Sequence, residues 1–171
     1  PWLTGGFLNL LKLLELTVFD GFDPVSGKQY ALKIGQVESF HDFESFYDAY
    51  KQRIFHYLRQ LILCDNILDG LHGSLCPTPF EAAFLSGCME SGRTSLEGGA
   101  RYNFSTIEMV GITNVADSLA VIKKLVYEEE RITWNELKEA LLHNFEKSEA
   151  LRLLLINGAP KYGNDEDYVD S

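Results

Sequence analysis

The sequence contains few cysteines. It contains three cysteines, Cys64, Cys76 and Cys88, and an odd number cannot all be paired in disulfides within one chain. None of them lies in the C-x-x-C spacing that is typical of zinc sites and redox motifs. The sequence therefore predicts neither a disulfide framework nor a structural zinc site. Unpaired cysteines are typical of reducing compartments, so we expect a cytoplasmic protein.

Positive charge and long apolar runs are also scarce. The 171 residues include 15 Lys and Arg against 25 Asp and Glu, which gives a net charge of −10. Proteins that bind nucleic acid usually carry a basic patch, and no run approaches the roughly 20 apolar residues that cross a membrane. With 46% hydrophobic residues, the chain is long enough for one domain with a core. We expect neither nucleic acid nor a membrane as a partner.

A very apolar segment stands near the start of the chain. Residues 7–19 are hydrophobic at nine of 13 positions and apolar on almost every side, which predicts a helix that is buried on all sides and ends at Gly21. Within it Glu15 needs a partner among the leucines, and Lys12 is placed to form a salt bridge with it. The chain opens on Pro1 and stops in an acidic stretch, and we expect both ends to be cuts within a longer protein.

The centre of the sequence carries the pattern of a long amphipathic helix. Aromatic and aliphatic residues recur at spacings of three and four from about residue 40 to 74. Ser39 and Asp42 resemble a helix start, while Pro77 and Pro79 are expected to end the helix.

The second half of the sequence indicates further helices and one clear strand. Thr133 and Glu136 match a capping box for a helix that runs to about Phe145, and Ser148 is expected to cap a last helix to about 156. The expected fold class is mainly α with one or two short strands. The other expected elements are a helix over 80–90, a glycine-rich loop over 92–100, a strand over 102–106 with an extension over 109–112, and a helix over 115–128 capped by Thr113 and Asn114.

Two carboxylate groups superficially resemble metal sites. Asp65, Asp69 and His72 fall on one helix face, but such a site needs a second copy on a facing helix and none is evident. We interpret them as a hydrogen-bonded cluster that helps to end the helix. Residues 164–167 lack the central glycine and closing glutamate of a calcium loop, so a solvated turn is expected there. No metal ligand is predicted.

Four sequence runs carry a family resemblance: EGGARYNFS at 97–105, NVADSL at 114–119, NGAPKYGNDEDYVD at 157–170 and PTPF at 77–80. They are similar to runs in the glycyl radical enzymes of the pyruvate formate-lyase type, in particular its diol-dehydratase-like branch. The resemblance implies an internal piece of a ten-stranded α/β barrel wrapped by helices. It also implies that residues 1–171 lack the thiyl-cysteine loop and the glycyl-radical domain.

The resemblance implies radical chemistry. In this family an activating enzyme with an iron–sulfur cluster and S-adenosylmethionine installs a glycyl radical, which passes to a cysteine thiyl that abstracts hydrogen from the substrate. The thiyl cysteine lies in a G-C-V-E motif on a tight loop. Cys88, in the run GCME, is expected near the end of a helix, so we interpret it as a small buried hydrophobe.

The radical glycine of the family lies in an R-V-x-G-Y motif. No Arg-Val pair occurs in this sequence, so Gly98 and Gly99 are expected to serve the backbone, through a positive φ or a close approach. Both reactive residues are therefore expected outside the chain. We expect no cofactor to be bound by this segment.

The resemblance also implies substrate contacts just before the first helix. In dehydratase-like members polar residues of this stretch line the substrate pocket, and Trp2, Thr4 and Gly5 match it in position. Thr4 is the candidate substrate-binding residue, because its hydroxyl can donate and accept a hydrogen bond. Some relatives carry an acidic residue where Thr4 stands. A threonine cannot act as a carboxylate base, which argues against glycerol as the substrate.

Two functions follow from these observations. The first is a fragment of a glycyl radical lyase or dehydratase that cleaves a C–O, C–N or C–C bond of a small polar substrate. The activating enzyme is then a partner of the full-length protein, a homodimer is allowed, and the isolated chain is expected to be inactive. The alternative is a stand-alone helical interaction module that presents the aromatic stripe of residues 40–74 to a partner, although such a stripe is more often core.

Overall fold

The computed structural model describes the backbone of residues 2–170 and the side chains of residues 5–170. It is mostly helical, as expected, and none of the helices within the described residues has the length and hydropathy of a membrane-spanning segment. The strands are β1 (Trp2–Asn9), β2 (Phe22–Asp23), β3 (Lys28–Gln29) and β4 (Phe104–Val110). The α-helices are α1 (Leu10–Val18), α2 (Phe43–Leu75), α3 (Pro79–Ala82), α4 (Cys88–Ser91), α5 (Ile112–Ile122), α6 (Trp134–Leu142), α7 (Glu149–Asn157) and α8 (Asp167–Asp170).

The chain divides into two compact units. The first unit contains the chain up to Leu8 together with Phe55–Met109, and so holds most of β1 and β4, the later part of α2, α3 and α4. The second unit contains Asn9–Ile54 and the chain from Val110 onwards, with α1, the early part of α2 and α5 to α8. Strands β1 and β4 pair in a two-stranded sheet, and β2 pairs with β3.

The chain opens with a strand, so the prediction that the first helix begins at residue 7 is wrong. Asn9 has φ −81° and ψ 99°, and its Oδ1 accepts a hydrogen bond from Lys12 N at 3.1 Å. This cap starts α1 at Leu10, because an N-cap residue stands outside the helix it begins. The extended residues before it pair with β4.

Helix α1 is buried over most of its surface, as its apolar pattern predicts. Leu13 and Leu16 are 4% and 3% exposed. The hydroxyl of Tyr50 in α2 donates a hydrogen bond to Leu10 O at 3.1 Å, and burial raises the pKa of Tyr50 well above its usual range. Gly21 follows the helix with φ +85° and donates its N–H to Leu16 O, as expected of a helix-ending glycine.

A short hairpin follows α1. Strands β2 and β3 pair antiparallel, with Asp23 opposite Lys28. The carboxylate of Asp23 accepts hydrogen bonds from Val25 N at 3.2 Å and from Ser26 Oγ at 2.6 Å. These bonds stabilise the turn, because Asp side chains commonly bond the backbone two residues ahead.

The long central helix is confirmed as α2. Asp42 rather than Ser39 caps it, with Asp42 Oδ1 accepting a hydrogen bond from Ser45 N at 2.7 Å. The aromatic stripe is core in the early part of the helix, where Phe46 is fully buried. Farther along, apolar side chains are between 44% and 73% exposed: Ile62, Leu63, Ile67, Leu68, Leu71 and Leu75.

The prediction of a single helix over residues 80–90 is wrong, because α3 and α4 are separate one-turn helices. Gly87 lies between them with φ +96°, and a Cβ at this position would lie 2.6 Å from Arg101 N. Arg101 N in turn donates a hydrogen bond to Ser86 O at 2.7 Å. The chain therefore closes a loop at this glycine, where no other residue fits.

Strand β4 covers most of the predicted strand and reaches into its predicted extension. Helix α5 begins earlier than expected, because Gly111, with φ +88°, is its N-terminal boundary instead of Thr113 and Asn114. The helix continues into a π-helix over Lys123–Glu128. The second unit has its core along this segment: Ala120, Val121, Leu125, Ile132, Ala159 and Val169.

The capping box at the start of α6 is confirmed. Thr133 Oγ1 accepts a hydrogen bond from Glu136 N at 3.2 Å, and Glu136 Oε2 accepts one from Thr133 N at 2.8 Å. The helix ends at Leu142 instead of Phe145, because Asn144 and Phe145 adopt left-handed conformations with φ of 48° and 59°.

Candidate functional site

Strand β1 carries Thr4, the residue predicted from the sequence to contact substrate. The backbone of Thr4 lies within β1, while its side chain, like that of Trp2, lies outside the described residues. Strand β1 is paired with β4. The candidate site is therefore this two-stranded sheet and the helix segment that lies on it within the first unit.

Two consecutive glycines of β1 contact helix α2 closely. A Cβ built on Gly5 would lie 2.3 Å from Asp65 Oδ1 and 2.5 Å from Asp65 Cγ. A Cβ on Gly6 would lie 2.7 Å from Leu61 Cδ1. Real Cβ atoms do not approach other heavy atoms so closely, so both positions admit only glycine unless the helix side chains move. We call this contact the glycine seat; it consists of Gly5, Gly6, Leu61 and Asp65.

The partner strand is tied to the same helix face. Ser105 of β4 donates a hydrogen bond from its hydroxyl to Asp69 Oδ2 at 2.9 Å. Leu61, Asp65 and Asp69 follow one another at intervals of four residues, and residues four apart share a helix face. One side of α2 thus contacts both strands.

These contacts correct the role expected for the carboxylates of α2. Asp69 bonds to Ser105, and Asp65 lies against Gly5, so within the described residues both contact strands instead of closing the helix. The helix continues past His72 to Leu75. Within residues 5–170, no three His, Cys, Asp or Glu side chains are grouped so that they could hold a metal ion.

Cys88 is buried, with 2% of its surface exposed, and it opens α4 instead of standing near the end of a longer helix. Gly87 precedes it as the N-cap residue and donates its N–H to Glu90 Oε2 at 3.0 Å. Cys64 and Cys76 are exposed, and all three thiols are free. The burial of Cys88 agrees with its interpretation from the sequence as a small buried hydrophobic residue.

The glycine-rich loop serves the backbone, as predicted. Gly98 has φ +76° and ends a 3₁₀ turn, and a Cβ on Gly99 would lie 2.2 Å from Arg93 O. Glu97 Oε2 accepts hydrogen bonds from the backbone N–H and the hydroxyl of Thr94, both at 2.8 Å. The N–H bond, followed by the hydroxyl bond, lowers the pKa of Glu97 below its usual range.

The salt bridge expected on α1 is confirmed in the second unit and is larger than predicted. Lys12 Nζ contacts the carboxylate of Glu15 and also lies 2.7 Å from Asp23 Oδ1. The hydrogen bond from Lys12, followed by that from Ser26, lowers the pKa of Asp23 to about 2. Partial burial opposes the charge of Lys12, but its bonds to Asp23 and Glu15 raise its pKa overall.

A cavity of about 730 Å³ lies within the second unit. Its walls are mostly apolar, and charged groups of both signs stand among them, including Lys12, Glu15, Arg152 and Lys161. Asp117 is held in place at this cavity, because its Oδ1 accepts a hydrogen bond from Tyr162 N at 2.8 Å.

Sequence reasoning missed the glycine seat. The signal was present, since two glycines inside a strand often mark a place where another part of the protein approaches the backbone. The sequence analysis predicts a helix from residue 7 onwards and no strand before it, so the two glycines do not stand out as strand positions.

The comparisons with known proteins agree with one another. The family model described as pyruvate formate lyase-like matches residues 1–171. The chain is 37% identical to a trans-4-hydroxy-L-proline dehydratase of Clostridioides difficile over 96% of its length and 21% of the relative's. It is 33% identical to a (2S)-3-sulfopropanediol dehydratase of Klebsiella oxytoca, over 99% of this chain and 21% of that protein.

Solved structures show the same likeness. The B12-independent glycerol dehydratase of Clostridium butyricum, with glycerol bound, matches with a TM-score of 0.87 and 38% identity, over 96% of this chain and 20% of that one. The hydroxyproline dehydratase of C. difficile, with substrate bound, matches with a TM-score of 0.91 and 35% identity. The match covers 96% of this chain and 21% of that one. The chain belongs to the pyruvate formate lyase-like family of glycyl radical enzymes, and it spans about one fifth of the length of the relatives that it matches.

Proposed function

We propose that this chain is part of a glycyl radical lyase or dehydratase that cleaves a C–O, C–N or C–C bond of a small polar substrate. The observation that carries the proposal is the family match along the whole chain, together with identities of 33–37% to two dehydratases. A likeness of this size in sequence and in fold supports shared chemistry.

Within such an enzyme this segment supplies scaffold and one substrate contact. Residues 1–171 are part of the ten-stranded barrel domain, with β1 as a barrel strand and α2 in the outer helical layer. Support comes from the pairing of β1 with β4 and from the contacts of both strands with one face of α2. A strand that is fixed along its length is a rigid base for a side chain that orients a reactant.

Thr4 is the residue that contacts substrate. A threonine hydroxyl both donates and accepts a hydrogen bond, so it suits a substrate hydroxyl, carbonyl or amine. It does not exchange a proton near neutral pH and therefore orients the substrate without acting as a general base. This favours a substrate whose deprotonation is carried out by another residue, or is not needed.

The reactive groups belong to parts of the enzyme outside these 171 residues. The glycyl radical, installed by an S-adenosylmethionine-dependent iron–sulfur activating enzyme, supplies hydrogen-atom abstraction through a cysteine thiyl. The buried Cys88 and the backbone roles of Gly98 and Gly99 support this division, because none of the three is placed as a reactive loop residue. The enzyme acts in the cytoplasm with the activating enzyme as its partner, and it is compatible with a homodimer.

The test uses the full-length enzyme that contains this segment. It is incubated anaerobically with its activating enzyme and S-adenosylmethionine, examined by electron paramagnetic resonance, and assayed on diols, hydroxyproline, hydroxysulfonates, choline and pyruvate. We expect a glycyl radical signal and elimination or cleavage of one of these substrates. Absence of a glycyl signal after this treatment, together with no turnover of any of these substrates, would contradict the proposal.

A further inference from the structure

We propose that the cavity of the second unit is the docking site for an apolar segment of the same polypeptide that lies outside residues 1–171. This docking rests on the proposed function, in which the chain is one part of a longer enzyme. It assigns an interaction surface to the second unit and a chemistry to the segment that covers it.

The walls of the cavity come from one side each of four helices, α1, α5, α6 and α7. On α1, the wall residues Leu11, Leu14 and Val18 follow one another at intervals of three and four, so they share a helix face. Leu137 and Leu141 form the corresponding wall on α6. The volume of about 730 Å³ is comparable to that of sites that enclose a drug-sized ligand, so apolar side chains of a segment can enter it.

The burial of these walls is uneven. On α1, Leu14 and Val18 are 5% and 3% exposed, whereas Leu11 is 38% exposed, although the apolar pattern of this helix predicts burial on all sides. Leu141 of α6 and Ile156 of α7 are 39% and 44% exposed. An apolar segment in the cavity would remove these side chains from water, which is favourable in proportion to the apolar area that it covers.

The charged groups of the cavity already have partners within the second unit. The guanidinium of Arg152 donates two hydrogen bonds to the carboxylate of Glu149, from Nε at 2.7 Å and from Nη2 at 2.6 Å. Lys161 Nζ lies 3.8 Å from Asp117 Oδ2, and Lys12 is bonded to two carboxylates. These pairs give no preference for a charged ligand. Apolar walls with charged groups among them resemble the apolar core and polar rim of a protein interface.

The length of the relatives favours a segment of the same polypeptide as the occupant. The chain is matched over 96% and 99% of its own length by two dehydratases, of which it spans 21% each. About four fifths of such an enzyme therefore lies in other segments. A tethered segment has a high effective concentration at the cavity, an advantage that a second copy or a free ligand lacks.

Photo-cross-linking in the full-length enzyme identifies the occupant. The residue p-benzoylphenylalanine replaces Leu141 or Ile156 at the cavity and, as matched controls, Leu142 or Leu153. The controls lie on the same two helices, are 48% and 47% exposed, and stand outside the cavity wall. After irradiation, mass spectrometry identifies the linked peptides, and the thermal midpoint shows that each variant is folded.

We expect both cavity positions to cross-link, within one polypeptide, to the same apolar segment outside residues 1–171. The controls should not link to that segment. A second comparison uses charge. Leu141→Asp should lower the thermal midpoint of the full-length enzyme, because it would bury a carboxylate without a partner, whereas Leu142→Asp should leave it nearly unchanged.

Several results would overturn the docking: cross-links confined to residues 1–171, cross-links between two copies or to a copurified small amphiphile, equal linking from the controls, or equal effects of Leu141→Asp and Leu142→Asp. Electron paramagnetic resonance and turnover of the wild-type enzyme test the proposed function separately. A glycyl signal without the expected cross-links leaves the function standing and refutes the docking. The cross-links without signal or turnover support the docking and refute the function.

Discussion

Lys12 and Asp23 form an ion pair in which Nζ lies 2.7 Å from Oδ1, and it joins helix α1 to the hairpin that follows. Lys12 also contacts Glu15, so one ammonium group bonds to two carboxylates. Asp23 is further held by hydrogen bonds from Val25 and Ser26. The pair is therefore part of a network, and such networks contribute more to the stability of the fold than single surface ion pairs do.

The network predicts how stability depends on pH. The pKa of Asp23 falls from its ordinary 3.8 to about 2 in the folded protein, so the folded state favours the charged form. The resulting stabilisation is fully present above about pH 4 and is lost as the pH falls through about 2. Lys12→Met is expected to return the pKa of Asp23 toward 3.8, which NMR titration of the Asp23 carboxyl measures directly.

Lys51→Met is the control for this prediction. Lys51 pairs with Asp48 at 2.6 Å on the exposed face of α2, where solvent screens the interaction. Removing Lys51 should leave the titration of Asp23 unchanged. An unaltered Asp23 pKa in Lys12→Met would show that the network does not hold this carboxylate.

The cap of helix α6 gives a second prediction. Thr133→Ala removes the hydroxyl that accepts from Glu136 N, at an expected cost of about 1 kcal/mol. Hydrogen–deuterium exchange should become faster in the first turn of α6. Ser148→Ala is the matched control, because Ser148 precedes α7 without a side-chain cap bond, and it should leave exchange in α7 nearly unchanged. Equal effects of the two substitutions would contradict the capping geometry.

The exposed apolar face of α2 gives a third prediction. Ile67 and Leu71 are 55% and 46% exposed, and apolar patches of this kind usually mark surfaces that are covered in a larger assembly. The isolated chain is expected to bind a hydrophobic dye such as anilinonaphthalene sulfonate. Ile67→Lys with Leu71→Lys should lower the dye fluorescence, whereas Asn66→Lys, which adds a charge at an exposed polar position of the same helix, should not.

The same measurement bears on the alternative function. A stand-alone interaction module would be expected to fold cooperatively as a monodisperse species. If the isolated chain does so and does not bind the dye, the interaction module gains support over the enzyme fragment.

Local features of the fold were predictable from the sequence. The spacing of apolar residues predicted α2, and the pairing of Thr133 with Glu136 predicted the start of α6, because both signals act over a few residues. Strand β1 was not predicted. Its partner β4 lies about a hundred residues away in sequence, and the run around Phe7 fits a helix equally well when that partner is unknown.

In the candidate site, too, the features that depend on distant parts of the chain could not be predicted from local sequence patterns. Thr4 could be assigned only through the family resemblance, since a single threonine in an apolar run has no chemical signature. The contact of Gly5 with Asp65 depends on the packing of α2 against β1, which no local pattern determines. The separation of α3 from α4 at Gly87 likewise depends on the distant Arg101, whose N–H lies where a side chain would stand.

The central claim is that this chain is one part of a glycyl radical enzyme and that the radical centre lies outside it. Electron paramagnetic resonance tests it most directly, on the isolated chain and on the full-length enzyme after identical anaerobic treatment with the activating enzyme and S-adenosylmethionine. We expect a glycyl signal in the full-length enzyme, and neither signal nor turnover in the isolated chain. A glycyl signal in the isolated chain that is lost on Gly98→Ala or Gly99→Ala, or turnover lost on Cys88→Ala, would contradict the account.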